Sequence, residues 1–157
     1  MEFLKHLLLC LVLMDCTNAR QNTTTMQTHA FRLKPGDDVK QEIDTLVAGK
    51  GIKAGYIATA VGSLTHYNIR FANRDNGDSA TGHFEVVSLV GTVSVHGSHL
   101  HISVADGDGK MTGGHLLDGN KVYTTLEMVV VETKDLVFAR ENDGSTLWKE
   151  LVIRKAE

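Results

Sequence analysis

Four of the eight histidines in this 157-residue chain lie in one stretch, from His96 to His115. Polar and apolar residues alternate between residues 97 and 105, which is the period of a half-buried β-strand. On such a strand His99 and His101 point to the same face about 7 Å apart, since each residue adds about 3.3 Å. The two imidazoles can therefore converge on one ion.

A turn signal and a pair of glycines follow this strand. The Asp-Gly-Asp-Gly sequence at 106–109 is typical of a tight reversal, and Gly-Gly at 113–114 allows another backbone to approach closely. We expect the reversal to place His115 on the strand beside the first two histidines. Three imidazoles without sulfur form an open zinc-type site, whose fourth position is left to water or substrate.

The alternative interpretation is that these histidines are ordinary polar residues on a solvated strand face. The hairpin-length gap before Gly-Gly-His favours the metal site. His99, His101 and His115 are therefore the predicted ligands of zinc or another divalent transition metal.

Composition indicates one ordinary globular domain. The chain is 42% hydrophobic and 22% charged, and its formal net charge of −3 gives no general attraction to nucleic acid or anionic membranes. Fifteen glycines against one proline favour a protein of strands and tight turns. A single domain with a sizeable core is the expected organisation.

The N-terminus has the three-part pattern of a secretory signal peptide at 1–19. Its apolar run at 7–14 is too short to span a bilayer, which takes about 20 residues. The alternative is a disordered N-terminal extension. We expect a secreted protein without a membrane span.

Cleavage after Ala19 would remove both cysteines, Cys10 and Cys16, so the mature domain would have no thiol chemistry. Residues 20–27 are polar and threonine-rich, and we expect a disordered lead-in there. Asn22 begins an Asn-Thr-Thr sequon, so N-glycosylation is expected at this residue.

The remaining sequence alternates strand signals with one strong helix signal. A helix is predicted from Asp37 or Asp38, with apolar residues at helical spacing, and Gly49 and Gly51 end it. Strands are predicted at 28–33, 54–64, 65–72, 97–105, 122–132, 136–140 and 147–153, with a polar loop at 73–82. Residues 83–95 are predicted as one long strand or as two short strands with a bend at Gly91. The prediction is an α+β fold, with a mostly antiparallel central sheet of about seven strands and one main helix packed on it.

Several segments in the same order resemble the PPC (plants-and-prokaryotes-conserved) domain. They are the strand sequence GHFEVVSLVGT at 82–92, HLHISVAD at 99–106, GGHL at 113–116, the strand at 122–132, and the earlier segments 33–37 and 55–62. The resemblance covers roughly 28–154, and we place the domain at 28–155. It implies an antiparallel sheet with helical cover and a homotrimer.

The resemblance also bears on chemistry. In prokaryotic members the equivalents of His99, His101 and His115 are associated with metal binding, and the same fold group includes acetolactate decarboxylase, a three-histidine zinc enzyme. Plant members carry an AT-hook and bind DNA. This chain has no Arg-Gly-Arg-Pro core and no basic block, so nucleic-acid binding is disfavoured.

Two functions remain open: a secreted trimeric metal-binding module, or a metal-dependent lyase or hydrolase with room for a small-molecule ligand. An enzyme of that kind needs a carboxylate acid or base beside the metal. Glu85 and Glu127 are the candidates, and His83, His96 and Arg70 are weaker ones. For Glu127 the alternative is a turn-facing or interface carboxylate, and for the other four it is an exposed strand or surface residue.

Overall fold

The structure is a computed structural model that describes residues 25–157. Within that range it has one helix, α1 (Val39–Lys50), and eight strands, which are β1 (Met26–Leu33), β2 (Gly55–Arg70), β3 (Asp78–Val93), β4 (His99–Ala105), β5 (Met111–Leu116), β6 (Lys121–Thr133), β7 (Leu136–Glu141) and β8 (Glu150–Lys155). The expected signal peptide, both cysteines and Asn22 lie outside the described residues.

Six strands form one antiparallel sheet in the order β1-β6-β2-β3-β4-β5. The end of β2 also pairs with β5, through Ile69 with Leu116 and Arg70 with His115. The sheet therefore curls until its last strand meets its third, which places β5 between β4 and the end of β2.

The prediction of about seven strands in one central sheet was wrong, because the eight strands of the described chain form a six-stranded and a two-stranded sheet. Strand β6 already has β1 on one side and β2 on the other. A strand that follows β6 cannot pair beside it, and β7 and β8 pair with each other as a separate two-stranded sheet. The mostly antiparallel α+β class was correct.

The two strands predicted at 54–64 and 65–72 are one strand, β2. Its pairing with β6 shifts register between Gly62 and Leu64 and again between Leu64 and His66. The chain thus bulges where a reversal was expected, and a bulge bends a strand without ending it. The real reversal comes later, since β3 begins at Asp78 inside the predicted 73–82 loop.

Helix α1 begins and ends where its caps predict. The Asp38 carboxylate accepts hydrogen bonds from the backbone N–H of Gln41 at 3.3 Å and of Gly119 at 2.6 Å. Gly51 closes the helix in the left-handed conformation, with φ 65°. The buried residues Val39, Ile43 and Val47 pack the helix against the sheet.

The core lies between α1 and the inner face of the curled sheet. Strand β1 begins at Met26, two residues before the predicted domain start. No helix in residues 25–157 has the length and apolar character needed to cross a membrane.

Candidate metal centre

Alternation along β4 places His99 and His101 on the outer face of the sheet. The residues between and after them, Leu100 and Ile102, are each 2% exposed and belong to the core. Because successive side chains of a strand point to opposite faces, the two histidines must point outward together. Their ring centroids lie 5.1 Å apart.

The third histidine comes from β5, as the hairpin signal predicted. His115 is the register partner of His101 on one side and of Arg70 on the other. Its ring centroid lies 5.2 Å from that of His99 and 5.7 Å from that of His101. One ring nitrogen of each histidine lies within 4.8 Å of the other two.

Two glycines allow the strands around these histidines to approach. A Cβ at Gly91 would overlap the backbone carbonyl of His99, and its φ of +144° is rare for other residues. A Cβ at Gly114 would lie 2.5 Å from the carbonyl oxygen of Arg70. The strands that carry the histidines can therefore lie this close to their neighbours only because Gly91 and Gly114 have no side chain.

Contacts from outside the strands hold the ends of β4 and β5. The hydroxyl of Ser98 donates to Asp44 of α1 at 2.9 Å, which fixes the start of β4. Beyond β5, fully buried Asn120 donates to the carbonyls of Asn68 at 3.0 Å and Leu117 at 2.7 Å. The Asn120 amide oxygen also accepts from the backbone N–H of Asn68 at 3.1 Å. These three hydrogen bonds keep β5 against β2, and a buried amide bonded in this way is a rigid connection.

The electrostatics of the site favour neutral imidazoles. Burial, together with the nearby His99, Arg70 and His101, lowers the pKa of His115 to about 4. Burial likewise lowers the pKa of His99, with help from His101 and Arg140. Neutral imidazole is the form that ligates a metal, so these surroundings keep His99 and His115 ready to bind one at neutral pH.

The donor set fits a divalent transition metal. Zinc binds histidine nitrogen at about 2.0–2.1 Å, so nitrogens of a tetrahedral site lie about 3.4 Å apart, and small side-chain rotations would close this set around an ion. His115 Nδ1 is buried and has no hydrogen-bond partner among residues 25–157. A buried polar atom without a partner is costly, and a metal or a second polar group would relieve that cost.

A cavity of about 640 Å³ is lined on one side by His99 and His115. The cavity is also lined by Arg70 of β2, by Arg140, Trp148, Lys149 and Glu150 of the β7–β8 hairpin, and by the loop residues Asp75 and Leu117. The hairpin is anchored by the hydroxyl of Ser94, which donates to the carbonyl of Phe138 at 2.8 Å. The histidines therefore lie at the wall of a cleft large enough for a small molecule.

Neither predicted catalytic carboxylate lines this cavity. Glu85 is exposed and pairs with Ala105, four residues beyond His101 along β4. Glu127 is exposed on β6, where its register partners are Arg32 and Val61. The described structure thus separates both from the histidines.

Of the three weaker candidates, Arg70 lines the cavity and the two histidines do not. His83 stacks on Tyr123 with ring centroids 4.4 Å apart, and His96 is exposed in the loop before β4. Arg70 lies beside His115 and lines the cavity. Sequence reasoning missed Arg140 and Glu150, because nothing in their sequence context indicates that the last hairpin folds back over the histidines.

Comparison with known proteins identifies the domain. Residues 20–134 match the Plants and Prokaryotes Conserved (PCC) domain. A bifunctional protein GlmU of a Synechococcus species (strain JA-3-3Ab) is 35% identical over 133 residues, which are 85% of this chain. The chain spans only 21% of the length of that relative.

Solved structures give the same result for the fold. A hypothetical protein from Salmonella enterica superposes with a TM-score of 0.83 at 40% identity, covering 85% of this chain and 97% of that one. A metal-containing protein from Archaeoglobus fulgidus superposes with a TM-score of 0.66 at 24% identity, covering 80% of this chain and 93% of that one.

Proposed function

The chain belongs to the Plants and Prokaryotes Conserved domain family, and we propose that it is a metal-binding protein of this family that holds one zinc or similar divalent ion. His99, His101 and His115 are the proposed ligands. The observation that carries the proposal is their convergence, with one nitrogen of each within 4.8 Å of the others. The metal content of the Archaeoglobus fulgidus protein, which shares the fold, agrees with it.

Elemental mass spectrometry of the purified protein tests this proposal. We expect about one transition metal ion per chain, retained through dialysis and removed by a chelator. The triple variant H99A/H101A/H115A should bind none. The matched control H66A/H83A/H96A removes three histidines outside the cluster and should keep the metal. Equal metal content in both triple variants, or none in the parent after reconstitution, would contradict the proposal.

The second candidate function is a metal-dependent lyase or hydrolase that uses the same site. The cavity and its carboxylate favour it, since Glu150 lines the cleft and accepts a hydrogen bond from the Thr146 hydroxyl at 2.6 Å. A bound divalent ion would act there as a Lewis acid. Glu150 would hold or transfer the proton in the role first considered for Glu85 and Glu127.

An activity screen of lyase and hydrolase substrates separates the two functions. In an enzyme, Glu150→Gln should retain the metal and lose turnover by about 100-fold or more. Glu85→Gln, remote from the cavity, is the matched control and should keep full turnover. A metal-loaded protein without turnover on any substrate would contradict the enzyme function and leave metal binding as the only proposed function.

Secretion and trimer formation complete the proposal. The apolar run at 7–14 supports export through a signal peptide at 1–19, and Asn22 would then be glycosylated. Family membership supports the homotrimer. DNA binding is not proposed, because the net charge is −3 and the chain has no AT-hook core.

A further inference from the structure

Two arginines flank the proposed metal ligands. Arg70 is the register partner of His115. Arg140 donates to the hydroxyl of Thr92 at 2.7 Å, and Thr92 is the register partner of His99. One guanidinium therefore stands on each side of the cluster, and both line the cleft of about 640 Å³.

Both guanidinium groups have unused capacity to donate hydrogen bonds. Within residues 25–157, neither forms a salt bridge with a carboxylate. Arg70 donates one described hydrogen bond, to the carbonyl of Arg74 at 3.3 Å, and Arg140 donates one, to Thr92. A guanidinium has five N–H donors, so most of them are available to a ligand.

The charge of the cleft favours an anion. Three cationic side chains line it, Arg70, Arg140 and Lys149, against the two carboxylates Asp75 and Glu150. Three neutral imidazoles would leave the full charge of a divalent ion uncompensated. An anion bound there would face two guanidiniums and the ion, in a partly buried site where such attractions exceed those in water.

The shape of the cleft limits which anion fits. Trp148 packs near Arg70, whose Cζ lies 5.7 Å from the Trp148 ring centroid, and Leu117 adds an apolar surface. Planar guanidinium forks match the two oxygens of a carboxylate. We propose that Arg70 and Arg140 form the binding site for a small organic carboxylate, which they hold against the metal ion with its carbon chain along Trp148 and Leu117.

This inference rests on the proposed metal site, and one titration separates the two. Cobalt(II) loaded into the protein reports ligand binding through its visible spectrum. Lactate is the probe, and lactamide is the matched neutral probe without the carboxylate. We expect saturable spectral changes with lactate at concentrations at least tenfold lower than with lactamide.

Substitutions then test whether Arg70 and Arg140 bind the carboxylate. R70Q and R140Q should each weaken lactate binding by about tenfold and leave the lactamide response unchanged. The lactate affinities of R70K and R140K should lie between those of the parent and of the glutamine variants, because lysine keeps the charge and loses the planar fork. R32Q, on exposed β1 far from the cleft, is the control and should bind lactate like the parent. The cobalt spectrum of each ligand-free variant checks that the site has folded.

Three results would overturn the inference. Equal responses to lactate and lactamide would mean that the cleft does not select a carboxylate. Unchanged lactate binding in R70Q and R140Q would mean that the ion alone holds the ligand. A parent protein with a histidine-bound cobalt spectrum and no response to lactate would refute this inference and leave the metal site standing, whereas absence of a cobalt spectrum would refute the metal site itself.

Discussion

Glu132 is a buried carboxylate, 5% exposed, between two basic side chains. Its Oε2 lies 2.8 Å from Lys134 Nζ and 3.0 Å from His29 Nε2. Burial alone would raise the pKa of this carboxyl, but the hydrogen bonds from Lys134 and His29 outweigh it and hold the pKa below its usual value of 4.5. Ionised Glu132 therefore stabilises the folded state.

We predict that Glu132→Gln lowers the free energy of unfolding at pH 7 by about 1–3 kcal/mol, since the charge-assisted hydrogen bonds are lost. The parent should lose this contribution as pH falls from the unfolded value near 4.5 through the lower folded value, and the variant should not. Urea denaturation at pH 7 and at acid pH measures both effects.

Exposed Glu127 on the same strand provides the control, and Glu127→Gln should change stability by less than about 0.5 kcal/mol. A Glu132→Gln variant whose stability follows the pH dependence of the parent would contradict this account of the cluster.

The functional residues differ in whether the sequence around them was enough to predict their position. His99 and His101 belong to one alternating strand, and His115 follows a short reversal, so local pattern was enough to place the three on one face. The positions of the carboxylates could not be predicted in this way. Glu85 is a strand residue of the right chemical type, but its distance from the histidines depends on pairing that no local pattern contains.

Strands β4 and β5 carry the candidate site, and their position depends on close packing against β2. Helix α1 and the β4–β5 hairpin were predicted from caps, turn residues and periodicity, and both are confirmed. Strand β2 was predicted as two strands, because bulges and turns both interrupt periodicity in a sequence. The pairing of β2 with β5 joins residues about 45 positions apart and has no local signal.

We predict that Gly114→Ala displaces β5 from β2 and lowers metal affinity by at least about tenfold. The added Cβ would lie 2.5 Å from the Arg70 carbonyl oxygen and 3.0 Å from Ile69 Cγ2, so the backbones must separate. Overpacking of this kind costs about 1–3 kcal/mol of stability. Competition with a chromophoric chelator measures the affinity.

Gly107 in the β4–β5 turn is the matched control, because a Cβ there meets no atom within 4 Å among the described residues. Gly107→Ala should bind metal like the parent. Equal affinity in the Gly114 and Gly107 variants would show that the β2–β5 contact does not position His115.

At the scale of the whole molecule, several large apolar side chains are exposed on the outer face of the sheet. Val61, Val87 and Val90 are 59%, 51% and 53% exposed, and Tyr56 and Tyr123 are also partly exposed. Exposed apolar surface of this kind can mark a site of association. It supports the proposed homotrimer, which would cover some of these side chains.

We predict a solution mass of three chains by light scattering coupled to size-exclusion chromatography. Val61→Glu and Val87→Glu should each shift the protein toward the monomer, because a charge buried in an interface is costly. Lys110→Glu, in the exposed β4–β5 turn, should leave the mass unchanged. A parent protein that elutes as a monomer at all concentrations would refute the trimer.

The claim that three histidines bind one metal ion is tested most directly by X-ray absorption at the zinc edge of the zinc-loaded protein. We expect three imidazole nitrogens at about 2.0–2.1 Å and no sulfur shell near 2.3 Å. His115→Ala should lower the imidazole count by one. A shell of oxygen ligands with fewer than two imidazoles in the parent, or an unchanged spectrum in His115→Ala, would contradict it.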